Sequence, residues 1–141
     1  MAGVTLTSEI VTGLTPGLTY KFVVQARNIV GLSAISNQIE VLAAQIPNAP
    51  INVAEVVGKT TGYQVGLSWS DGSYDGASPV IDYQVLFAES SAEFTIYASN
   101  LLARETIVSG LTPGLTYKFS IKSRNLVGYS AQSAATNAVA A

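Results

Sequence analysis

Cysteine and histidine are both absent from this sequence of 141 residues. The absence of cysteine excludes disulfide bonds and thiolate chemistry. The absence of histidine removes the usual general base at neutral pH and the commonest zinc ligand, so a Ser-His-Asp triad cannot be built. We therefore predict that the protein is not an enzyme and that it binds no cofactor and no metal.

Charged residues are also scarce. They make up 11% of the sequence, against about 25% in an average protein, and the net charge is -2. The seven lysines and arginines form no basic stripe, so we do not expect nucleic acid as a partner. No apolar run approaches about 18 residues, which predicts no membrane insertion. A surface so poor in charge favours close association between molecules or a glycan coat.

One segment of the sequence occurs twice. Residues 10–22 read IVTGLTPGLTYKF, and residues 107–119 read IVSGLTPGLTYKF, an offset of 97 residues. The register is kept further along, where the Arg-Asn pair at 27–28 returns at 124–125. This period is too long for solenoid repeats of about 20 to 50 residues, and it indicates a tandem array of whole domains.

The repeat divides the chain into three parts. Residues 1–44 match only residues 98–141, so they correspond to the C-terminal half of a module. Residues 45–50 contain two prolines, which fix φ and remove amide donors, and we predict that they form a linker. Residues 51–141 then make up one complete module.

Within the complete module, apolar residues recur at every second position, as in half-buried antiparallel strands. The positions predicted to face inward are Tyr63, Val65, Leu67, Trp69, Tyr83, Val85, Phe87, Tyr117, Phe119 and Ile121. The positions predicted to face outward are Gln64, Gly66, Ser68, Lys118, Ser120, Lys122 and Arg124. No helical periodicity is present, so the pattern predicts an all-β antiparallel β-sandwich.

Four motifs follow one another in the complete module and just before it. They are a proline-rich entry at Pro47 and Pro50, a strand tryptophan at Trp69, a turn rich in Gly, Ser and Pro at 71–79, and a Leu-x-Pro-Gly-x-x-Tyr corner at 111–117. This combination resembles the fibronectin type III family, and the match covers about the last two thirds of the chain.

The resemblance implies an immunoglobulin-like sandwich. Its strand tryptophan, Trp69, is expected to fill the core between the sheets, and its corner tyrosine, Tyr117, to return its hydroxyl to nearby backbone. By the same resemblance, residues 1–44 carry strands E, F and G of another module, and the chain is part of a tandem array.

The half module is predicted to present an apolar face that lacks an opposing sheet. Leu14, Tyr20, Phe22 and Val24 would lie on this face. Burying such side chains contributes as much as the net stability of a domain, so the half should not hold a fold alone. It is completed in a longer array, receives strands from a neighbouring molecule, or lies against the complete module. We favour the first two, which predict assembly with protein partners that include copies of the chain.

Two predicted loops carry residues suited to contacts, since binding residues concentrate in loops on a rigid scaffold. The candidates are Asp71, Tyr74 and Asp75 in one loop and Asn125 and Tyr129 in the other. These loops support an alternative function, namely recognition of a protein or glycan, or service as an accessory domain in a secreted polysaccharide-degrading enzyme.

The first loop also fits part of a calcium-loop spacing. Asp71, Ser73, Asp75, Gly76 and Asp82 fall at positions 1, 3, 5, 6 and 12 of that pattern. Predicted strands flank the segment instead of helices, and position 12 is Asp where a bidentate Glu is usual. We therefore predict a turn, with no metal.

The favoured function is that of a non-catalytic structural or adhesive repeat in an extracellular or cell-surface protein. Duplicated modules with one shared corner sequence suit a uniform array. Self-assembly into a filament is an extension of this hypothesis, because heterologous contacts that do not close generate filaments.

Overall fold

The computed structural model describes residue 3 and residues 5–141 of the chain. The chain divides into two compact units; unit 1 ends at Ala44, and unit 2 is Gln45–Ala141. The predicted start of the half module at Met1 lies outside the described residues. Its assignment to strands E, F and G stays a prediction.

Unit 1 contains two antiparallel strands, β1 (Thr19–Phe22) and β2 (Ile39–Leu42), which pair from Thr19 opposite Leu42 to Phe22 opposite Ile39. A Pro16-Gly17 turn precedes β1, and Gly17 has a φ of 89° that suits glycine at this turn position. Residues 8–12, which align with a strand of unit 2, do not form a strand here.

Unit 2 is built from seven strands of the described chain. They are β3 (Ile51–Glu55), β4 (Gln64–Ser70), β5 (Asp82–Glu89), β6 (Thr95–Leu101), β7 (Glu105–Ser109), β8 (Thr116–Arg124) and β9 (Thr136–Val139). A single 3-10 turn, Val57–Lys59, lies between β3 and β4. Among the described residues, no helix has the length and hydropathy needed to cross a membrane.

The seven strands form two antiparallel sheets. One sheet has the order β3-β4-β7, and the other has the order β6-β5-β8-β9. Their inner faces share one core, with Trp69 and Tyr83 in edge-to-face contact at 5.5 Å between ring centroids. The predicted β-sandwich and the predicted core position of Trp69 are therefore confirmed.

Three predicted orientations are wrong. Tyr63 is 70% exposed because it lies in the turn before β4, not on the strand. Gly66 is buried because the outer face of β4 is covered by the 3-10 turn, so that an added Cβ would lie 2.7 Å from the Lys59 side chain. Ser120 is buried because the segment after β8 covers it, and its hydroxyl donates to the Ser133 carbonyl at 3.0 Å. Tyr63 lies outside the alternating strand, and for Gly66 and Ser120 a covering segment of the chain decides burial instead of the period of two.

Candidate functional site

The Leu-x-Pro-Gly-x-x-Tyr corner has the same hydrogen bonds in both units. In unit 2 the Thr112 amide donates to the Tyr117 hydroxyl at 3.0 Å, which confirms the expected return of that hydroxyl to backbone. In unit 1 the Thr15 amide donates to the Tyr20 hydroxyl at 2.9 Å. Donation to the phenol oxygen favours the phenolate, so the backbone amide of Thr15 lowers the pKa of Tyr20.

A second shared feature is a pair of serine hydroxyls that accept backbone amides. In unit 2 the Ile121 amide donates to Ser133 Oγ and the Ser123 amide donates to Ser130 Oγ. In unit 1 the same pattern joins Val24 to Ser36 at 2.8 Å and Ala26 to Ser33 at 2.9 Å. The two units therefore share the local geometry of the chain between their last two strands.

The two units differ in how deeply the apolar side chains of the corner and the following strand are buried. In unit 2, Phe119 and Ile121 are 0% exposed, and Leu111 and Tyr117 are also buried. In unit 1, Val24 is 68% exposed, and the other three matching residues are only half-buried. We call Leu14, Tyr20, Phe22 and Val24 the open face of unit 1. The structure brings β1 residues Tyr20 and Phe22 to alternate positions of one strand, as the sequence predicts.

A groove of about 490 Å³ lies beside the turn between β4 and β5 of unit 2. Its lining includes two residues that sequence reasoning missed, Asn48 and Arg104, along with the predicted contact residues Asp71, Tyr74 and Asp75. Tyr74 is exposed, and Asn48 holds the turn by donating from its side-chain amide to Ser73 Oγ at 2.8 Å. Arg104 follows β6 by three residues, and no sequence signal connected it with this turn.

Two of the three charged residues of the groove, Asp71 and Arg104, are paired with each other. Asp71 accepts hydrogen bonds from the Arg104 guanidinium and from the Tyr83 hydroxyl. The Arg104 guanidinium lowers the pKa of Asp71, and burial together with the bond to Asp71 raises the pKa of Tyr83 to about 12. The groove consequently presents a neutralised ion pair, with Asp75 as its second acidic residue.

Asp82 and Arg124 form a second ion pair at the ends of β5 and β8. The Arg124 Nε donates to Asp82 Oδ1 at 2.9 Å, and its guanidinium also donates to Asn100 Oδ1 at 2.9 Å. Asp82 is almost fully buried, and its carboxylate raises the pKa of Arg124. The guanidinium lies 5.3 Å from the ring centroid of Tyr129, which makes that predicted contact residue half-buried.

The predicted contact residue Asn125 is buried and works inside unit 2. Its side-chain amide donates to the Gln45 carbonyl at 2.7 Å and to the Asp75 carbonyl at 2.9 Å, while its oxygen accepts the Val127 and Gly128 amides. Asn125 therefore ties the predicted linker to the β4–β5 turn, and its polar atoms are not free for an external partner. No local pattern in the sequence predicts that the linker is anchored in this way.

The three aspartates that fit the calcium-loop spacing each bind a different partner. Asp71 pairs with Arg104, and Asp82 pairs with Arg124. Asp75 accepts the Ala77 amide at 2.9 Å, which makes it part of the turn. In the described residues, no group of three acidic side chains is arranged to hold a metal ion.

The packed antiparallel sheets, the core tryptophan and the tyrosine corner define an immunoglobulin-like sandwich module. The Fibronectin type III domain family model matches residues 49–139. The chain belongs to this family, as the sequence resemblance predicted.

Relatives of the chain come from unrelated kinds of protein. A Kelch domain-containing protein of Saccharolobus solfataricus is 32% identical over 125 residues, which are 89% of this chain and 17% of that protein. Chitinase A1 of Niallia circulans is 33% identical over an alignment of 144 positions that covers 96% of this chain and 19% of the enzyme. The chain thus spans less than a fifth of the length of these relatives.

Solved structures show the same architecture. The crystal structure of titin domains A168-A170 aligns with a TM-score of 0.69 and 22% identity, covering 85% of this chain and 40% of that chain. At this identity the likeness establishes the fold alone.

Proposed function

We propose that the chain is a structural repeat of an extracellular or cell-surface protein, in which fibronectin type III modules are joined as spacers and docking units. Unit 2 is a complete module of the array. Unit 1 is completed by other sequence or by a neighbouring chain, and this need for completion supports assembly into an array or filament.

The observation that carries the proposal is the shared geometry of the two units combined with their different burial. The tyrosine corner and the serine bonds recur 97 residues apart, which supports repetition of one building unit. The open face of unit 1 matches residues that form the core in unit 2. Exposed apolar area of this kind marks an interaction surface.

Light scattering of the 141-residue chain over a range of concentrations tests the proposal. We expect association that weakens in a Val24→Lys variant, because the substitution places a charge on the open face. Leu126→Lys is the matched control, since Leu126 is also a highly exposed apolar residue but lies in a loop of unit 2. A monomeric chain whose amides at residues 20–26 resist hydrogen exchange would contradict the proposal.

The groove beside the β4–β5 turn favours a second candidate, which is recognition of a protein or glycan. Tyr74 offers an exposed ring next to Asn48 and the carboxylate of Asp75, a combination that suits stacking and hydrogen bonding to a sugar. The similarity to a protein named chitinase supports the related idea of an accessory domain in a polysaccharide-degrading enzyme.

Binding to insoluble chitin separates the two candidates. A recognition module should bind and should lose binding in the double variant Tyr74→Ala, Tyr129→Ala, while association through the open face persists. Tyr63→Ala is the control, because Tyr63 is an exposed tyrosine outside the groove. Absence of binding by the unmodified chain removes chitin as the ligand of this groove.

A further inference from the structure

Strand β1 is short, and within the described residues one of its edges has no partner strand. Its counterpart β8 spans nine residues, whereas β1 spans four. Strand β8 pairs with β9 on one edge and, from Tyr117 to Arg124, with β5 on the other. Strand β1 pairs with β2, and within the described residues of unit 1 no strand takes the place of β5. Residues 19–27 therefore offer the backbone edge that β5 occupies in unit 2.

The polar residues at the end of this edge have lost the same partner. In unit 2, Arg124 pairs with Asp82, the first residue of β5. Its counterpart Arg27 has no carboxylate partner among the described residues. The Asn28 side chain keeps the two loop bonds that Asn125 makes through its oxygen, with the amides of Val30 and Gly31.

The side-chain amide group of Asn28, like the β1 edge and Arg27, lacks the partners that its counterpart has in unit 2. The Asn125 amide group donates to two carbonyls that belong to the first half of its own module, those of Gln45 and Asp75. In the part of the chain that the structure describes, the Asn28 amide group donates to no acceptor. Unpaired donors beside an open apolar face favour an occupant that brings carbonyls and a carboxylate to fixed positions.

Resting on the proposed function, we infer that the open face and the β1 edge bind the first half of another fibronectin type III module. The occupant adds a strand like β5 antiparallel to residues 19–27, with an aspartate opposite Arg27 and alternate apolar residues over the open face. Its two carbonyls receive the Asn28 amide group. The occupied counterpart in unit 2 supplies the template for each of these contacts.

A copy of the 141-residue chain can supply this occupant only by exposing an equivalent face of its own. Each copy contains one segment of the required kind, residues 45–97, and two surfaces that need it, one in each unit. A copy that donates the segment uncovers its own β8, so the number of open faces does not fall. The occupant is therefore the first half of a further module.

A fusion chain tests this inference. A second copy of residues 45–97 is joined ahead of residue 1, so that residue 1 follows residue 97 as residue 98 does in the chain. We expect amides of residues 20–26 to gain exchange protection that matches residues 117–123. We also expect Arg27→Gln to lower the melting temperature of the new first module in the fusion chain and to have no effect in the 141-residue chain.

The controls change only the donated copy. Asp82→Asn in that copy should reproduce the effect of Arg27→Gln, and a donated copy with scrambled order should protect nothing. If the fusion chain aggregates, a peptide of residues 79–90 added to the 141-residue chain should shift amide resonances of residues 19–27. The inference is overturned if neither donor affects these residues, or if the scrambled donor protects them equally.

Failure of this inference can be distinguished from failure of the proposed function. If the donors fail while the 141-residue chain still associates through Val24, only the identity of the occupant is wrong. If the 141-residue chain is monomeric and already protected at residues 20–26, the proposed function fails.

Discussion

Units 1 and 2 contain the same corner sequence, and among the described residues an opposing sheet is present in unit 2 and not in unit 1. The bonds formed within short stretches, such as those of Tyr20 and Tyr117 to the amide five residues before, occur in both. Strand length and burial differ between the units: β1 ends at Phe22, whereas its counterpart β8 continues to Arg124. Local sequence thus determines the turn and its hydroxyl bonds, whereas extended strands need a partner strand to pair with.

The difference is largest for the phenylalanine of each unit. Phe119 has no exposed surface, and its replacement in Phe119→Ala leaves a cavity in the core. We expect unit 2 to lose about 3 to 5 kcal/mol of its free energy of unfolding, the range for such truncations. Phe22→Ala removes the matching side chain from a half-covered position, so its effect should be much smaller. Urea denaturation followed by the fluorescence of Trp69, which lies in unit 2, measures the first effect.

Hydrogen exchange of residues 19–22 measures the second effect in the same samples. Equal losses in the two variants would show that the open face is already covered in the 141-residue chain, and the contrast between the units would disappear. A Phe119→Leu variant is a useful control, because it keeps an apolar side chain in the core and should lose less than Phe119→Ala.

The tyrosine corner offers a smaller effect, because it is the feature that the units share. Tyr117→Phe keeps the ring in the core and removes the oxygen that accepts the Thr112 amide. We expect a loss of about 1 to 2 kcal/mol from unit 2, measured by urea denaturation. Tyr20→Phe removes the same bond to Thr15 in a half-exposed setting, where water replaces the lost oxygen. A larger loss for Tyr20→Phe would mean that the corner stabilises unit 1 more than unit 2.

Sequence reasoning found the fold through features that act locally or alternate regularly. The corner motif predicted the Tyr117 bond, and the alternation around Trp69 predicted the core. It failed where distant segments meet. Asn125 was predicted to face a partner, yet its amide group holds Gln45, which is 80 positions away.

Part of the candidate site escaped prediction for the same reason. Arg104 lies 33 residues from Asp71, and only the fold brings its guanidinium to that carboxylate. No local pattern marks either residue as a partner of the other. The contact role of this loop stays a prediction, and the residue that neutralises Asp71 comes from a distant part of the sequence.

The smallest expected effect is a change of stability with pH. It concerns Tyr83, which lies in the half of unit 2 that has no counterpart in unit 1. Burial and the bond to Asp71 raise the pKa of Tyr83 from 10.0 to about 12. The folded state therefore favours the neutral phenol, and this contribution to the stability of unit 2 is present below pH 10 and lost as the pH rises through about 12. We expect a decline of less than about 1 kcal/mol, because nearby Arg104 is solvated.

Unfolding measurements between pH 9 and pH 12 should show this decline in the 141-residue chain and not in Tyr83→Phe. Tyr20 should ionise at lower pH than Tyr83, because the Thr15 amide lowers its pKa. Absorbance titration of Tyr20→Phe should therefore lose an early phenolate signal, whereas Tyr83→Phe should lose a late one. The opposite order would contradict the bond assignments of both hydroxyls, since donation to the phenol oxygen of Tyr20 and burial of the Tyr83 phenol act on ionisation with opposite sign.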